Sequence, residues 1–245
     1  MKALKIGGSV ITDKFKYKQP DESQIKRISE ELRSKYKNLI LIHGAGSFGH
    51  PLVEKNNLKN QIKTPKQFIE TSKVQESVKE LNKIFVKKIR SQEIPFITIH
   101  PSSCAITKNG EIKKFPTKTI KQALKKEVLP ILHGDMVLDE EKGAKVLSGD
   151  KIITYLAEKL NAEKIGMGAR SPVLDKNGKP LNKIQKTDLE ALKGAKSTDV
   201  TGGMKRKVEE LLKTKKESFI FNATKKGNIE KFLNNQKIGT EVLHK

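Results

Sequence analysis

Leu39-Ile40-Leu41-Ile42-His43-Gly44-Ala45-Gly46-Ser47-Phe48-Gly49-His50 is an apolar run that breaks into glycines and closes on a histidine. The first four residues read as a buried strand. The glycines beyond it let the chain turn tightly and aim successive N–H groups at an anion, aided by the dipole of a following helix. Two motif patterns fit at once. Gly44, Gly46 and Gly49 make GxGxxG, and Gly44 to Gly49 have Walker A spacing. The Walker reading fails because His50 stands in place of the lysine and Pro51 in place of the magnesium-holding Ser/Thr. The dinucleotide reading needs a second strand and a ribose-binding acid about 20 residues on. Residues 66–90 read instead as a helix that contains Glu70. The stretch is a phosphate cradle of neither common type. His50 also fits a plain helix cap, with Pro51 at the first helical position.

Outward from this run, strand and helix signals alternate. Ala3–Ile6 is a short strand broken by Gly7-Gly8, and 21–36 is a helix opened by Asp21. The helix over 66–92 is followed by a strand at Phe96–Ile99. Asn109-Gly110 joins Ala105–Lys108 to Glu111–Lys114 as a hairpin. A helix over 118–126 and a strand at Val128–Leu132 lead to a second hairpin, Met136–Leu138 with Ala144–Leu147. Helices over 150–160, 203–213 and 227–234 then alternate with strands near 163–167, Ser218–Asn222 and Thr240–Leu243. This order predicts an α/β fold with a mostly parallel sheet covered by helices on both faces. No linker or low-complexity segment divides the chain, so residues 1–245 are expected to form one domain.

The balance of 50 Lys+Arg against 28 Asp+Glu gives a net charge of +22. Only Arg27, Arg33, Arg90, Arg170 and Arg206 are arginines, and the remaining cations are dispersed lysines. Readers of nucleic acid favour arginine forks, so the pattern argues against nucleic acid as the main partner and for a solvated surface that suits anionic substrates. Cys104 is the single cysteine, which excludes an intrachain disulfide and a cysteine-built metal site. No signal peptide or bilayer-spanning run is evident, and the expected location is the cytoplasm.

Polar groups gather where such a sheet places its ligands, at the carboxyl ends of strands. Lys5-Ile6-Gly7-Gly8-Ser9 ends the first strand with a cation, two glycines and a hydroxyl, and Lys14 follows in the next loop. Ser148-Gly149-Asp150 precedes a helix. Asp199-Val200-Thr201-Gly202-Gly203-Met204-Lys205-Arg206-Lys207 does the same, with Lys207 about one turn into its helix. Ile238-Gly239-Thr240 stands near the carboxyl end of the sequence.

In this order, the segments from KIGGS to IGT resemble the amino-acid kinase superfamily, and GAGSFGH with its histidine resembles the isopentenyl phosphate kinase family within it. The resemblance implies a three-layer αβα sandwich and ATP-dependent phosphorylation of isopentenyl phosphate in an archaeal-type alternative mevalonate route. It also implies an N-terminal half mainly for the acceptor, a C-terminal half mainly for the nucleotide, and a homodimer. ATP would bring Mg²⁺ with it, with no protein ligand to the metal. The resemblance gives Lys5, Lys14, His50 and Asp150 catalytic roles. It assigns ATP to Lys5, Gly7, Gly8, Ser9, Gly46, Gly203 and Lys207, and the acceptor to Ala45, Gly46, Gly49, His50 and Gly149. Asp150 would orient the lysines. The chemistry suits these residues, because phosphoryl transfer is driven by fixed cations placed on developing negative charge. One departure stands out. Gly168-Ala169-Arg170-Ser171-Pro172 replaces the aspartate-rich turn usual in the superfamily, which puts that turn's nucleotide contacts in doubt. A kinase of another small phosphate or phosphonate, such as a fosfomycin kinase, and a non-catalytic nucleotide- or nucleic-acid-binding protein remain as alternatives.

Overall fold

A computed structural model describes residues 1–13, 15–191 and 202–244. Lys14 and Asp199–Thr201 lie outside the described residues. The helices are α1 (Gly8–Ile11), α2 (Glu22–Leu32), α3 (Gly46–Lys55), α4 (Pro65–Arg90), α5 (Thr117–Lys125), α6 (Gly149–Lys159), α7 (Asp188–Ala191), α8 (Gly202–Leu212) and α9 (Asn228–Leu233). The strands are β1 (Lys2–Ile6), β2 (Leu39–His43), β3 (Phe96–Thr98), β4 (Ile106–Lys108), β5 (Glu111–Lys114), β6 (Leu129–His133), β7 (Asp135–Asp139), β8 (Gly143–Leu147), β9 (Lys164–Ala169), β10 (Lys183–Ile184), β11 (Glu217–Asn222) and β12 (Thr240–Val242).

Local sequence explains the major helices. Asp21 caps α2 by accepting from the Gln24 N–H at 3.0 Å. A capping box of Thr64 and Gln67, with Pro65 at the first position, starts α4. Val74, Val78, Leu81, Phe85 and Ile89 then bury one stripe of it. The glycine motif is less a loop than the sequence suggested: α3 begins at Gly46, so Gly49 and His50 are already helical and Pro51 sits inside the helix. Lacking an N–H, Pro51 leaves the Ser47 carbonyl without its helical donor. The Lys18 N–H takes that carbonyl at 3.3 Å and ties the 13–20 loop to α3.

Eight strands form the main sheet in the order β10-β12-β11-β9-β1-β2-β6-β3, parallel except for β11 against β12. Alternation along the strands fills both faces. Ala3, Ile40 and Ile42 pack with Ile152, Ile153 and Leu156 of α6, whereas Leu4, Ile6, Leu39 and Leu41 pack with α2, α4 and α9. The result is the expected helix–sheet–helix sandwich. Lys5 shares the Ala3 face and is thereby aimed toward α6. The chain leaves β1 for β2 on one side and reaches β9 on the other, so the carboxyl end of β1 is a topological switch point. The two hairpins are joined, β4 running parallel to β7, into a second sheet of order β5-β4-β7-β8.

Candidate active site

Three charged side chains from distant parts of the chain meet at the end of β1. Lys5 is 5% exposed, and its Nζ lies 2.8 Å from Asp150 Oδ1. Lys207 Nζ reaches Asp150 Oδ2 at 3.5 Å and also donates to the Gly203 carbonyl at 3.3 Å. Asp150 stands in the first turn of α6, behind the Ser148 cap, which accepts the Lys151 N–H at 3.2 Å. Burial pushes the Asp150 carboxyl up, but Lys5 and Lys207 outweigh it and hold the group below the ordinary carboxylate value. Burial and the Lys5 charge pull Lys207 below the ordinary lysine value, against Asp150. The geometry around Asp150 Oδ1 is ionic contact without a well-directed hydrogen bond. Gly149 is held small by its surroundings, since a Cβ there would lie 3.4 Å from Lys5 Cε and 3.2 Å from Ile42 Cγ2.

Beside the triad, the two glycine loops interlock. A Cβ on Gly8 would fall 2.2 Å from the Gly46 nitrogen, and one on Gly44 would fall 2.5 Å from the Gly8 nitrogen. Neither is possible for a larger residue. Among the described residues the N–H groups of Gly8, Ser9, Ala45 and Gly46 have no hydrogen-bond acceptor. Backbone donors left open at two adjoining helix N-termini make an anion cradle. Gly7 does not contribute its N–H, contrary to expectation, because it donates to the Gly168 carbonyl at 2.7 Å and anchors β1 to β9. Gly49 sits against Ala45 and Val78, where a Cβ would fall 2.6 Å from Ala45 Cβ. Its small size therefore serves helix packing.

His50 is exposed, and its ring makes no hydrogen bond to the described residues. Its ring is nevertheless crowded by protein on enough sides that burial, then the charges of Lys5, Lys207 and Arg206, holds it below the ordinary histidine value. At neutral pH the ring is uncharged. Val53, one turn on in the same helix, belongs to an apolar cluster with Leu58, Ile62, Val74, Val78 and Met136, against which Ala45, Leu52 and Phe68 pack. A cavity of about 440 Å³ lies elsewhere, at the amino ends of β1 and β2 between Lys2, Lys35, Lys37 and Asn234. It gathers no comparable constellation, and the site is assigned to the charged triad and the glycine loops.

The model of the Amino acid kinase family matches residues 1–222. The chain belongs to the amino acid kinase family. It is 36% identical to the isopentenyl phosphate kinase of Methanocaldococcus jannaschii over 98% of this chain and 97% of that one. It is 32% identical to the isopentenyl phosphate kinase of Methanothermobacter thermautotrophicus over 99% of this chain and 98% of that one. An X-ray structure of an isopentenyl phosphate kinase superposes with a TM-score of 0.86 at 27% identity, covering 99% of this chain and 100% of that chain.

Two contacts of this amino acid kinase go beyond the sequence reading. The Thr12 hydroxyl donates to the Gly8 carbonyl at 2.9 Å and accepts the Ser47 N–H at 3.0 Å, latching one glycine loop to the other. Its position one helical turn after Gly8 was the available signal. Arg170, from the turn that lacks aspartates, donates through Nε to the Ser9 carbonyl at 2.7 Å. It braces the β1 loop from outside.

Proposed function

We propose that this amino acid kinase transfers the γ-phosphoryl group of ATP to isopentenyl phosphate, giving isopentenyl diphosphate. The observation that carries the reading is the buried lysine of β1 and the half-buried lysine of α8 held on one carboxylate beside an open N–H cradle. The full-length similarity to isopentenyl phosphate kinases supports the choice of acceptor. Lys5 and Lys207 would carry the charge that develops on the moving phosphoryl group, and Asp150 would position both ammonium groups. Gly8, Ser9, Ala45 and Gly46 would donate backbone N–H groups to phosphate oxygens. The acceptor phosphate is itself anionic at neutral pH, so no strong general base is required. His50 would donate to that phosphate, and the apolar cluster beside its helix would receive the hydrocarbon tail.

In this reading the N-terminal half serves mainly the acceptor, and α6 and α8 serve the nucleotide. Mg²⁺ would arrive with ATP, because the Asp150 carboxylate is committed to two lysines. The same reading places the enzyme in the cytoplasm. Among the described residues no helix is long and apolar enough to cross a membrane.

The deciding assay offers ATP with isopentenyl, dimethylallyl and geranyl phosphates, fosfomycin and UMP. Isopentenyl phosphate should be turned over best. His50→Ala should raise the KM for isopentenyl phosphate at least about tenfold, the worth of one hydrogen bond to a charged group, and leave the KM for ATP little changed. His50→Gln, which keeps a donor, should retain part of the activity. A wild type that ignores isopentenyl phosphate defeats the assignment.

A further inference from the structure

Three histidines lie behind the cradle, and the reaction as drawn leaves them unused. His43 and His133 end β2 and β6, face each other in register, and are both 0% exposed. Their rings stack with centroids 5.5 Å apart. Phe85 lies 5.1 Å from the His43 ring, and His100 lies 5.1 Å from the His133 ring. Apolar side chains could fill this space without burying ring nitrogens, which are costly unless paired.

The pairing is specific. Nδ1 of His43 lies 3.1 Å from the Gly44 carbonyl, and Nδ1 of His133 lies 3.1 Å from the Gly134 carbonyl. A carbonyl only accepts, so each Nδ1 carries the proton, and in a neutral ring Nε2 must then accept. His133 Nε2 accepts from His100 Nδ1 at 2.8 Å. His43 Nε2 lies 3.1 Å from the Asn82 side-chain oxygen; with Nδ1 protonated and the ring neutral, that amide turns over so that its NH₂ donates to Nε2. Cys104 Sγ donates to the His100 carbonyl, while Asp135 takes the N–H groups of Ser102 and Met136. The proton order is thus consistent through the whole stack.

Both carbonyls held by the stack begin functional loops. In a trans peptide the C=O and the next N–H point in opposite directions within one plane. Fixing the Gly44 carbonyl therefore aims the Ala45 N–H away from His43, and that N–H is one of the four open donors of the cradle. The Gly134 carbonyl belongs to the residue that packs on the start of α6, where a Cβ would lie 3.2 Å from the Gly149 nitrogen. We propose that His43 is a positioning residue for the acceptor phosphate, aiming the Ala45 N–H through the Gly44 carbonyl, while His133 braces the α6 start in the same way. The inference rests on the isopentenyl phosphate reading for its assay.

The test compares wild type, His43→Phe and His43→Asn by steady-state kinetics, varying isopentenyl phosphate and ATP in turn. Phenylalanine keeps the ring contacts and removes the donor. The asparagine amide nitrogen stands near the place of Nδ1 and restores it. His43→Phe should raise the KM for isopentenyl phosphate about tenfold and that for ATP by less than about twofold, the loss expected for one misaimed donor to a charged group. His43→Asn should recover most of that loss. A residue that only filled space would not be rescued by the smaller asparagine. Unchanged acceptor kinetics in His43→Phe, or an asparagine variant no better, overturns the inference. Should His43→Phe fail to fold, ¹⁵N NMR of the wild-type imidazoles decides. Protons on Nδ1 of His43 and His133 at neutral pH support it, and protons on Nε2 overturn it. If wild type were inert to isopentenyl phosphate, the substrate reading would fall separately. Titration of wild type and His43→Phe with inorganic phosphate would then decide the positioning role, with equal affinity counting against it.

Discussion

Lys5 sits almost wholly out of water, where an ammonium is stable only if an anion meets it. Asp150 meets it, and Lys207 shares the same carboxylate. Removing Lys5 strips charge from the site but leaves Asp150 paired with Lys207, whereas removing the carboxylate as well leaves the Lys207 ammonium uncompensated. Lys5→Met is therefore expected to lower kcat by about 10²–10³, the usual cost of losing one transition-state contact, with a smaller effect on Tm. Adding Asp150→Asn should lower Tm further and restore none of the kcat. Calorimetry and turnover on the three variants separate the two effects, and near-normal kcat in a folded Lys5→Met protein would refute the mechanism. Lys5, Asp150 and Lys207 were legible in the sequence because each stands beside a glycine pair or a helix cap. Thr12 was not, since a threonine in Val10-Ile11-Thr12 looks like any strand or helix residue until its hydroxyl is seen bridging two loops. The open N–H groups had the same difficulty. Glycine spacing announces a cradle but does not say which N–H is already spent, as that of Gly7 is on Gly168.

At the scale of elements, hairpins and caps were readable because their chemistry is local. Asn109 and Gly110 both have positive φ, as a two-residue hairpin turn with Asn-Gly requires. The joining of the two hairpins was not readable, because β4 pairs with β7 some thirty residues on and one side chain ties their turns together. Asp139 accepts the N–H groups of Gly110, Glu141 and Lys142 and the Thr107 hydroxyl, at 2.8, 3.1, 2.9 and 2.8 Å. Burial opposes its charge, but these donors prevail and bring its carboxyl to about 2. The folded value lies below the unfolded one, so the stabilisation is present above about pH 4 and fades as pH falls toward 2. It is worth about 2 kcal/mol. Asp139→Asn should lower Tm by about 4–8 °C at neutral pH, with the gap narrowing in acid. A Tm unchanged at pH 7 would show that the donors do not depend on the charge. The turn at Gly168–Pro172 offers a second case. Ala169 is 6% exposed and its carbonyl accepts from Ala223, so an aspartate there would have to be buried. Arg170 instead braces the Ser9 carbonyl. Arg170→Ala should raise the KM for ATP by about three- to tenfold, as for one lost charge-assisted bond at a partly exposed site, and leave the acceptor KM alone. Equal shifts in both constants would mean that the brace does not act on the nucleotide side.

For the molecule as a whole, alternating strands and helices were enough to give the sandwich, because the central strands bury both faces and the major helices show one apolar stripe. The short strand β10 escaped because two residues carry no period. The histidine stack escaped because His43, His100 and His133 are far apart in sequence and meet only through sheet register. Yet the stack sets how the whole fold should respond to acid. Burial, with each ring adding to the cost of charging another, lowers His43 and His133 to about 4. Lys79 adds positive potential at His100 and His133. His100 is itself lowered, chiefly by burial, and Cys104 is raised by burial and by Asp135, so neither supplies a charge that would stabilise an imidazolium. For both buried rings the folded value lies below the unfolded 6.5. Their neutral forms therefore stabilise the fold fully above pH 6.5, and this contribution is lost as pH falls from 6.5 through 4. By pH 5 the loss is about 2 kcal/mol for each ring. Asp135 works the other way, since burial raises its carboxyl, but it is one group against two. The net charge of +22 adds general repulsion in acid, which salt screens. Melting curves from pH 7 to pH 4.5 should therefore show Tm falling at low salt and still falling at about 0.5 M salt, where repulsion between exposed charges is screened but the buried stack is not. His43→Asn, which has no ring to protonate, should flatten part of that fall. A wild-type Tm that holds steady across this range in high salt would mean that the stack is charged or open in solution, and the neutral chain of imidazoles behind the cradle would have to be abandoned.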